Sequence, residues 1–241
     1  MPDPHPPVVI LPGLMCNSRM FAPQLAAFPG SLVVDGFYDR ADRLEDMAEF
    51  ALRQMPSEAC VIGHSMGARV ALEIMRQAPG CVARLMLANT GVHDVREGER
   101  EHRYALRDVG RNIGMEALVD QWLPPMLAEA SMADDALVQG LRSMCVNAGL
   151  ATYEAQAEAL LQRPAVGDVL RRISCPTWVV TGTEDRWASP AQHAVIASQI
   201  TGSTLRIVTA AGHMLPAEKP AEFNTLIAEW ISAPSLASQP N

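Results

Sequence analysis

The chain has 241 residues, enough for one large domain with a substantial core or for a domain carrying an insertion. Its residues are 49% hydrophobic and 19% charged, as in an ordinary globular protein, and the formal net charge of -8 argues against a nucleic-acid partner, which needs a basic surface. Residues 1 to 14, MPDPHPPVVILPGL, lack a positively charged leader, and no stretch approaches the ~20 apolar residues of a membrane span, so a cytoplasmic protein without a membrane partner is expected.

In chain order, short apolar runs read as buried strands and the periodic segments between them as helices. Val8 to Leu11 is a strand ended by Pro12-Gly13, and Leu32 to Val34 is another, ended by Asp35-Gly36. Leu44 to Gln54 places Leu44, Met47, Ala48, Ala51 and Leu52 at i, i+3, i+4 spacing, one face of a helix. Ala59 to Gly63 is a strand, and Met66 to Gln77 reads as the next helix. Arg84 to Asn89 is again a strand. Residues 92 to 170 break the alternation, with helices expected at Tyr104 to Gly114, Met115 to Trp122, Ala133 to Ala148 and Thr152 to Gln162 and no strand between them. Strands return at Thr177 to Gly182 and Thr204 to Ala210, with helices at Pro190 to Gln199 and Ala221 to Ile231. The last residues, PSLASQPN, read as a frayed end.

Uninterrupted apolar strands separated by helices imply an α/β fold with a parallel sheet covered on both faces. Residues 1-91 and 171-241 form the expected core, and residues 92-170 the expected helical insertion over it. The five cysteines, Cys16, Cys60, Cys81, Cys145 and Cys175, are scattered and show no CxxC spacing, so neither a disulfide framework nor a metal site is expected. Cys16, just past the Pro-Gly turn, is read as a small packed thiol.

The chemistry points to residues 60 to 69, CVIGHSMGAR, which hold Gly-x-Ser-x-Gly. The pattern alone arises by chance in roughly one chain in twenty of this length. Its context is more telling, because Ser65 lies where an apolar strand turns into a helix. Gly63 and Gly67 let strand and helix approach, and the first N–H groups of the helix point at the same spot. A serine nucleophile also needs a base and an acid that orients it. GTEDRW puts Asp185 just past one strand, and AAGHML puts His213 just past the next. In a parallel sheet those strand ends share one edge, so the three side chains can converge. Asp94 and Glu184 are alternatives for the acid. A second oxyanion N–H, beside that of Met66, is expected from Leu14 in the LPGL turn.

Through VVILPGL, GHSMGA, GTEDRW and AGHMLPAEKP, nearly the whole chain resembles the α/β-hydrolases with a helical cap. The resemblance implies Ser65 as nucleophile, His213 as base and then acid, Asp185 as orienter, and the amides of Leu14 and Met66 as oxyanion hole. It departs from the family in opening the oxyanion turn with Pro12-Gly13 instead of His-Gly, and in having DGFYDRADR where many relatives carry Asp-x-x-Gly-x-Gly-x-Ser. The chain starts at the strand bearing the oxyanion turn, so a six-stranded parallel sheet is expected. The segment TYEAQAEALLQRPAVGDVLRRISCPTWVVTG is similar to small bacterial esterases and enol-lactonases.

A small-molecule carboxylic ester or lactone, largely apolar, is the expected substrate, with no cofactor and no metal. A thioesterase, a cofactor-free perhydrolase or a carbon–carbon bond hydrolase would use the same three residues, and a slow ligand-binding receptor or a lyase would keep them for other ends. An aspartate-nucleophile enzyme is disfavoured, because the elbow residue is serine. Met15, Trp122, Met126, Trp187 and Met214 are expected to line the substrate pocket. His64 is expected to be structural, and His5, His93, His102 and His193 have no partner pattern. Arg96, Arg100, Arg103, Arg107 and Arg111 recur at helical spacing; they could grip an anionic substrate through bidentate pairs, but a solvated face balanced by Glu97, Glu99 and Glu101 is the favoured reading.

Overall fold

A computed structural model describes residues 5–234. The expected frayed end, apart from Pro234, lies outside the described residues. Strand β1 (Val8–Leu11) is followed by α1 (Ala22–Ala27), β2 (Leu32–Val33), α2 (Leu44–Gln54), β3 (Ala59–His64), α3 (Met66–Gln77) and β4 (Val82–Ala88). Helices α4 (Glu99–Asn112), α5 (Met115–Trp122), α6 (Asp135–Ala148), α7 (Leu150–Leu161) and α8 (Gly167–Arg172) come next. The chain then resumes with β5 (Thr177–Gly182), α9 (Pro190–Gln199), β6 (Thr204–Val208), α10 (Leu215–Glu218) and α11 (Pro220–Ser232).

The six strands form one sheet in the order β2-β1-β3-β4-β5-β6, and every neighbouring pair is parallel. The fold is the α/β-hydrolase fold. Both faces of the sheet are covered, which is why β1, β3 and β5 are buried along their whole length. Helix α3 is buried at every position from Met66 to Met75, because it lies against the central strands.

Registers Leu11↔Gly63, His64↔Ala88 and Gly182↔Val208 bring the C-terminal ends of β1, β3, β4, β5 and β6 to one edge. Glycine at 67 permits that crowding. A Cβ there would lie 2.0 Å from the carbonyl oxygen of Leu11 and 2.6 Å from that of Pro12. Gly67→Ala is therefore expected to destabilise the fold by about 3 kcal/mol, as overpacking against rigid backbone does. Urea denaturation checks this, with Gly80→Ala, where a Cβ meets nothing within 4 Å, as the near-neutral comparison.

Some boundaries differ from the sequence reading for physical reasons. Helix α4 begins at Glu99 rather than Tyr104, because its first turn is fastened by charge: Arg103 pairs with Glu99 one turn earlier, a signal that apolar periodicity does not carry. Helices α1 and α8, each six residues, are too short to show a period. Strand β6 stops at Val208 because Ala210 turns into the left-handed region at φ 52°. The DGFYDRADR stretch does take its own shape: Phe37, Tyr38, Asp39 and Arg40 all have positive φ. Tyr38 is thereby buried, and its hydroxyl donates to the carbonyl of Pro12 at 2.9 Å.

Candidate active site

Ser65 occupies the turn between β3 and α3 with φ 54° and ψ -118°, a conformation sparsely populated by side-chain-bearing residues and persisting only where neighbours enforce it. Here they do. The Ser65 amide donates to the carbonyl of Ala88 at 2.9 Å, and the Thr90 hydroxyl donates to the Ser65 carbonyl at 3.0 Å.

The Ser65 Oγ lies 2.8 Å from His213 Nε2, and His213 Nδ1 lies 3.0 and 2.9 Å from the two oxygens of Asp185. A carboxylate can only accept, so Nδ1 carries the proton and Nε2 is free to accept from Ser65. The three side chains, 120 and 28 residues apart in sequence, thus form one hydrogen-bonded line.

Asp185 is buried and surrounded by donors. Its Oδ1 accepts from the amides of Trp187 and Ala188, and its Oδ2 from Asn89 Nδ2 at 2.9 Å. Burial works against its charge, but His213 and these donors outweigh it and hold the carboxyl well below the usual range. Asp94 and Glu184 do not compete: Asp94 is exposed, and Glu184 is turned to the amide of Glu129.

His64 is structural, as expected. It is fully buried, its Nε2 donates to the backbone carbonyl of His213 at 2.8 Å, and burial with the nearby His213 lowers its pKa to about 3. His193, without a partner pattern in the sequence, is buried; its Nε2 accepts the Thr90 amide at 3.0 Å. Cys16 is a buried thiol whose pKa is pushed up by that burial, a packed rather than a reactive group.

A cavity of about 100 Å³ opens over Ser65 and His213. Leu14, Met66, Trp122, Met126 and Trp187 border it. Among the described residues, neither the Leu14 nor the Met66 amide is engaged by an acceptor, so both remain available to an oxygen bound beside Ser65.

Met15 and Met214 do not border the cavity, which corrects their expected role. Met15 turns back into the core, with its amide donating to Gln156, and Met214 is 1% exposed with its amide held by Glu218.

Charge stands beside this apolar lining. Arg69, Arg103, Arg163 and Glu99 also line the cavity, three guanidiniums against one carboxylate. Arg69 lies one helical turn beyond Ser65, where burial first and the charge of Arg163 second lower its pKa to about 9, leaving it cationic at neutral pH. Its Nε and Nη2 donate to the carbonyls of Gly91 and His93 at 2.7 and 2.6 Å. Arg163 grips Glu99 with two 2.7 Å contacts and uses its other donors on the carbonyls of Leu160, His93 and Asp94. Burial disfavours the Glu99 charge, but Arg163 and Arg103 overcome it and bring its pKa down to about 2. Among the described residues the Arg103 side chain hydrogen-bonds to Glu99 alone and keeps donors free. The rest of the predicted arginine stripe behaves as a surface face: Arg100 meets Tyr104, Arg107 meets Asp108, and Arg111 meets Glu154.

The arginine stripe that includes Arg103 was one sign of this in the sequence, and Arg69 is another. Arg69 is the lone charge in the otherwise apolar MGARVAL start of a buried helix, and a buried charge needs partners.

A model described as the alpha/beta hydrolase family matches residues 8–226. Over 205 residues the chain is 24% identical to a protein of Bacillus subtilis (strain 168) named provisionally as a 2-succinyl-6-hydroxy-2,4-cyclohexadiene-1-carboxylate synthase, covering 81% of this chain and 74% of that one. Its fold superposes on the enol-lactonase from Burkholderia xenovorans LB400 with a TM-score of 0.83 at 22% identity, covering 96% of this chain and 93% of that one. On a thermophilic esterase from Thermogutta terrifontis the TM-score is 0.81 at 24% identity, with 93% and 88% covered. At these identities the two solved structures speak for the fold.

Proposed function

The chain belongs to the alpha/beta hydrolase family, and from that premise we propose that it is a serine hydrolase cleaving a carboxylic ester or lactone whose acyl part bears a carboxylate. The observation behind the chemistry is the line of contacts from Ser65 Oγ through His213 to Asp185, beneath two unengaged amides. Ser65 Oγ attacks the substrate carbonyl while His213 Nε2 takes its proton, and the Leu14 and Met66 amides receive the negative charge that develops on the carbonyl oxygen. Asp185 stabilises the imidazolium and keeps its tautomer. His213 then returns the proton to the departing alcohol. Water, deprotonated by the same nitrogen, attacks the acyl carbon, releases the acid and restores Ser65.

The carboxylate is inferred from the arginines. Three guanidiniums and one glutamate give the cavity an excess of positive charge, and Arg103 retains free donors for a bidentate contact. The Bacillus relative, named for a succinyl-bearing carboxylate, supports the same choice. We expect p-nitrophenyl hemisuccinate to show a KM at least about tenfold below that of p-nitrophenyl butyrate. Arg103→Gln should remove most of that advantage while leaving butyrate within twofold. Equal KM values for the two esters would sink the carboxylate assignment and leave the hydrolase.

A second reading has the same relative behind it, since that protein is called a synthase. Ser65 and His213 would then act as a base that takes a proton from carbon, without an acyl-enzyme. Detection of acylated Ser65 during turnover separates the two.

A further inference from the structure

We infer that Gln156, on the helical insertion, is a positioning residue: it holds the oxyanion turn in its working geometry and so ties the insertion to the chemical step. The inference rests on the reading of Leu14 and Met66 as oxyanion donors.

Gln156 lies in α7 and is fully buried. Its Oε1 accepts the N–H of Met15 at 2.8 Å, a contact between residues 141 positions apart. Met15 is a methionine at φ 58°, in the left-handed region, so its conformation costs energy that the surroundings must offset. The peptide plane held by Gln156 is the one that joins Leu14 to Met15. Leu14 borders the cavity and shares that plane through its carbonyl, so loss of the Gln156 bond frees the turn at Met15 to relax and carry Leu14, with its amide, out of place. The other bonds to this turn come from Tyr38, which donates to Pro12, from the Cys16 amide, which donates to Gly13 at 3.1 Å, and from the Cys16 thiol, which donates weakly to the Leu14 carbonyl at 3.4 Å. Among the described residues, Gln156 makes the one hydrogen bond that reaches the middle of the turn from outside it.

The amide at 156 also carries a cost. Its Nε2 is buried without an acceptor among the described residues, a penalty that an apolar residue of the same size would avoid. Glutamine there makes sense for the one bond its oxygen makes. The insertion reaches the base as well, for the carbonyl of Met126 accepts the His213 amide at 2.7 Å. Helices between β4 and β5 therefore hold both the oxyanion turn and the histidine loop.

The test compares wild type, Gln156→Leu and Gln156→Glu, with Ser65→Ala alongside. Gln156→Leu should lower kcat for p-nitrophenyl acetate at least about tenfold, the scale of a displaced oxyanion donor, with KM within twofold. Gln156→Glu, which keeps an oxygen at the same place, should recover most of the loss. Hydrogen–deuterium exchange of the peptide spanning residues 12–16 provides a readout independent of turnover. It should quicken about tenfold in Gln156→Leu while peptides of β3 and β4 stay protected. Wild-type kcat in Gln156→Leu, a change in KM alone, or unaltered exchange at the turn would each overturn the inference. If wild type and Ser65→Ala turned over the ester alike, the serine reading would fail and take the catalytic half of this inference with it. The exchange result would still decide whether Gln156 holds the turn.

Discussion

Ser65→Ala is expected to lower hydrolysis of p-nitrophenyl acetate by about 10⁴-fold or more while the protein remains folded. Loss of Oγ removes the atom that faces His213 Nε2 at 2.8 Å and would attack a carbonyl seated below the Leu14 and Met66 amides. What survives is the oxyanion contact and binding, which on their own give a small residue of catalysis. The fold should tolerate the change, because the elbow is held by backbone bonds to Ala88 and by Thr90, none of which involves Oγ. Steady-state rates with thermal unfolding of both proteins check the point. Turnover above one hundredth of wild type, marked here as a rough threshold, would remove Ser65 from the chemistry.

The second large effect belongs to Asp185→Asn, expected to cost about 10⁴-fold in kcat. Both oxygens of Asp185 accept: Oδ1 faces the Trp187 and Ala188 amides, Oδ2 faces Asn89, and both meet His213 Nδ1. An asparagine amide must turn its NH2 toward one of these donors. The arrangement that keeps the backbone amides satisfied sets NH2 against Asn89 and His213, and this drives the imidazole to its wrong tautomer. Nε2 would then carry the proton and could not receive one from Ser65. Some stability should also be lost, about 1–3 kcal/mol for donors left facing a donor in a buried site. Asp94→Asn is the comparison. Its side chain is exposed and makes no contact with His213, so activity should stay within twofold of wild type. Loss of activity in Asp94→Asn with none in Asp185→Asn would reverse the assignment of the acid.

Much of this architecture was legible in the chain. Strands β1 and β5 and helices α2, α3, α5 and α9 stand where the apolar runs and periods put them, because a buried parallel strand and an amphipathic helix leave direct marks in composition. Ser65, Asp185 and His213 were legible for a related reason: each follows a strand, and parallel strands finish on one edge. The four left-handed residues Phe37 to Arg40 left no mark, since burial of Tyr38 and its bond to Pro12, made across 26 residues, help to hold them.

The charge pairs of the pocket were hidden. Arg163 lies just past an ordinary helix and meets Glu99 across 64 residues, and Gln156 meets Met15 across 141. No local period encodes such pairs. Asn89 and His193 are the same case, side chains whose role exists only once β4 and α9 are side by side. Met15 and Met214 erred in the other direction, because adjacency in sequence to a reacting group does not say which way a side chain turns.

The most direct measurement is site-resolved mass spectrometry after reaction with a stoichiometric fluorophosphonate, followed by assay of the labelled protein on p-nitrophenyl acetate. The account predicts one phosphonyl group per chain, on Ser65, and loss of ester hydrolysis in proportion to labelling. Hydrolysis that survives complete modification of Ser65, or a label on another residue that abolishes it, would contradict the account.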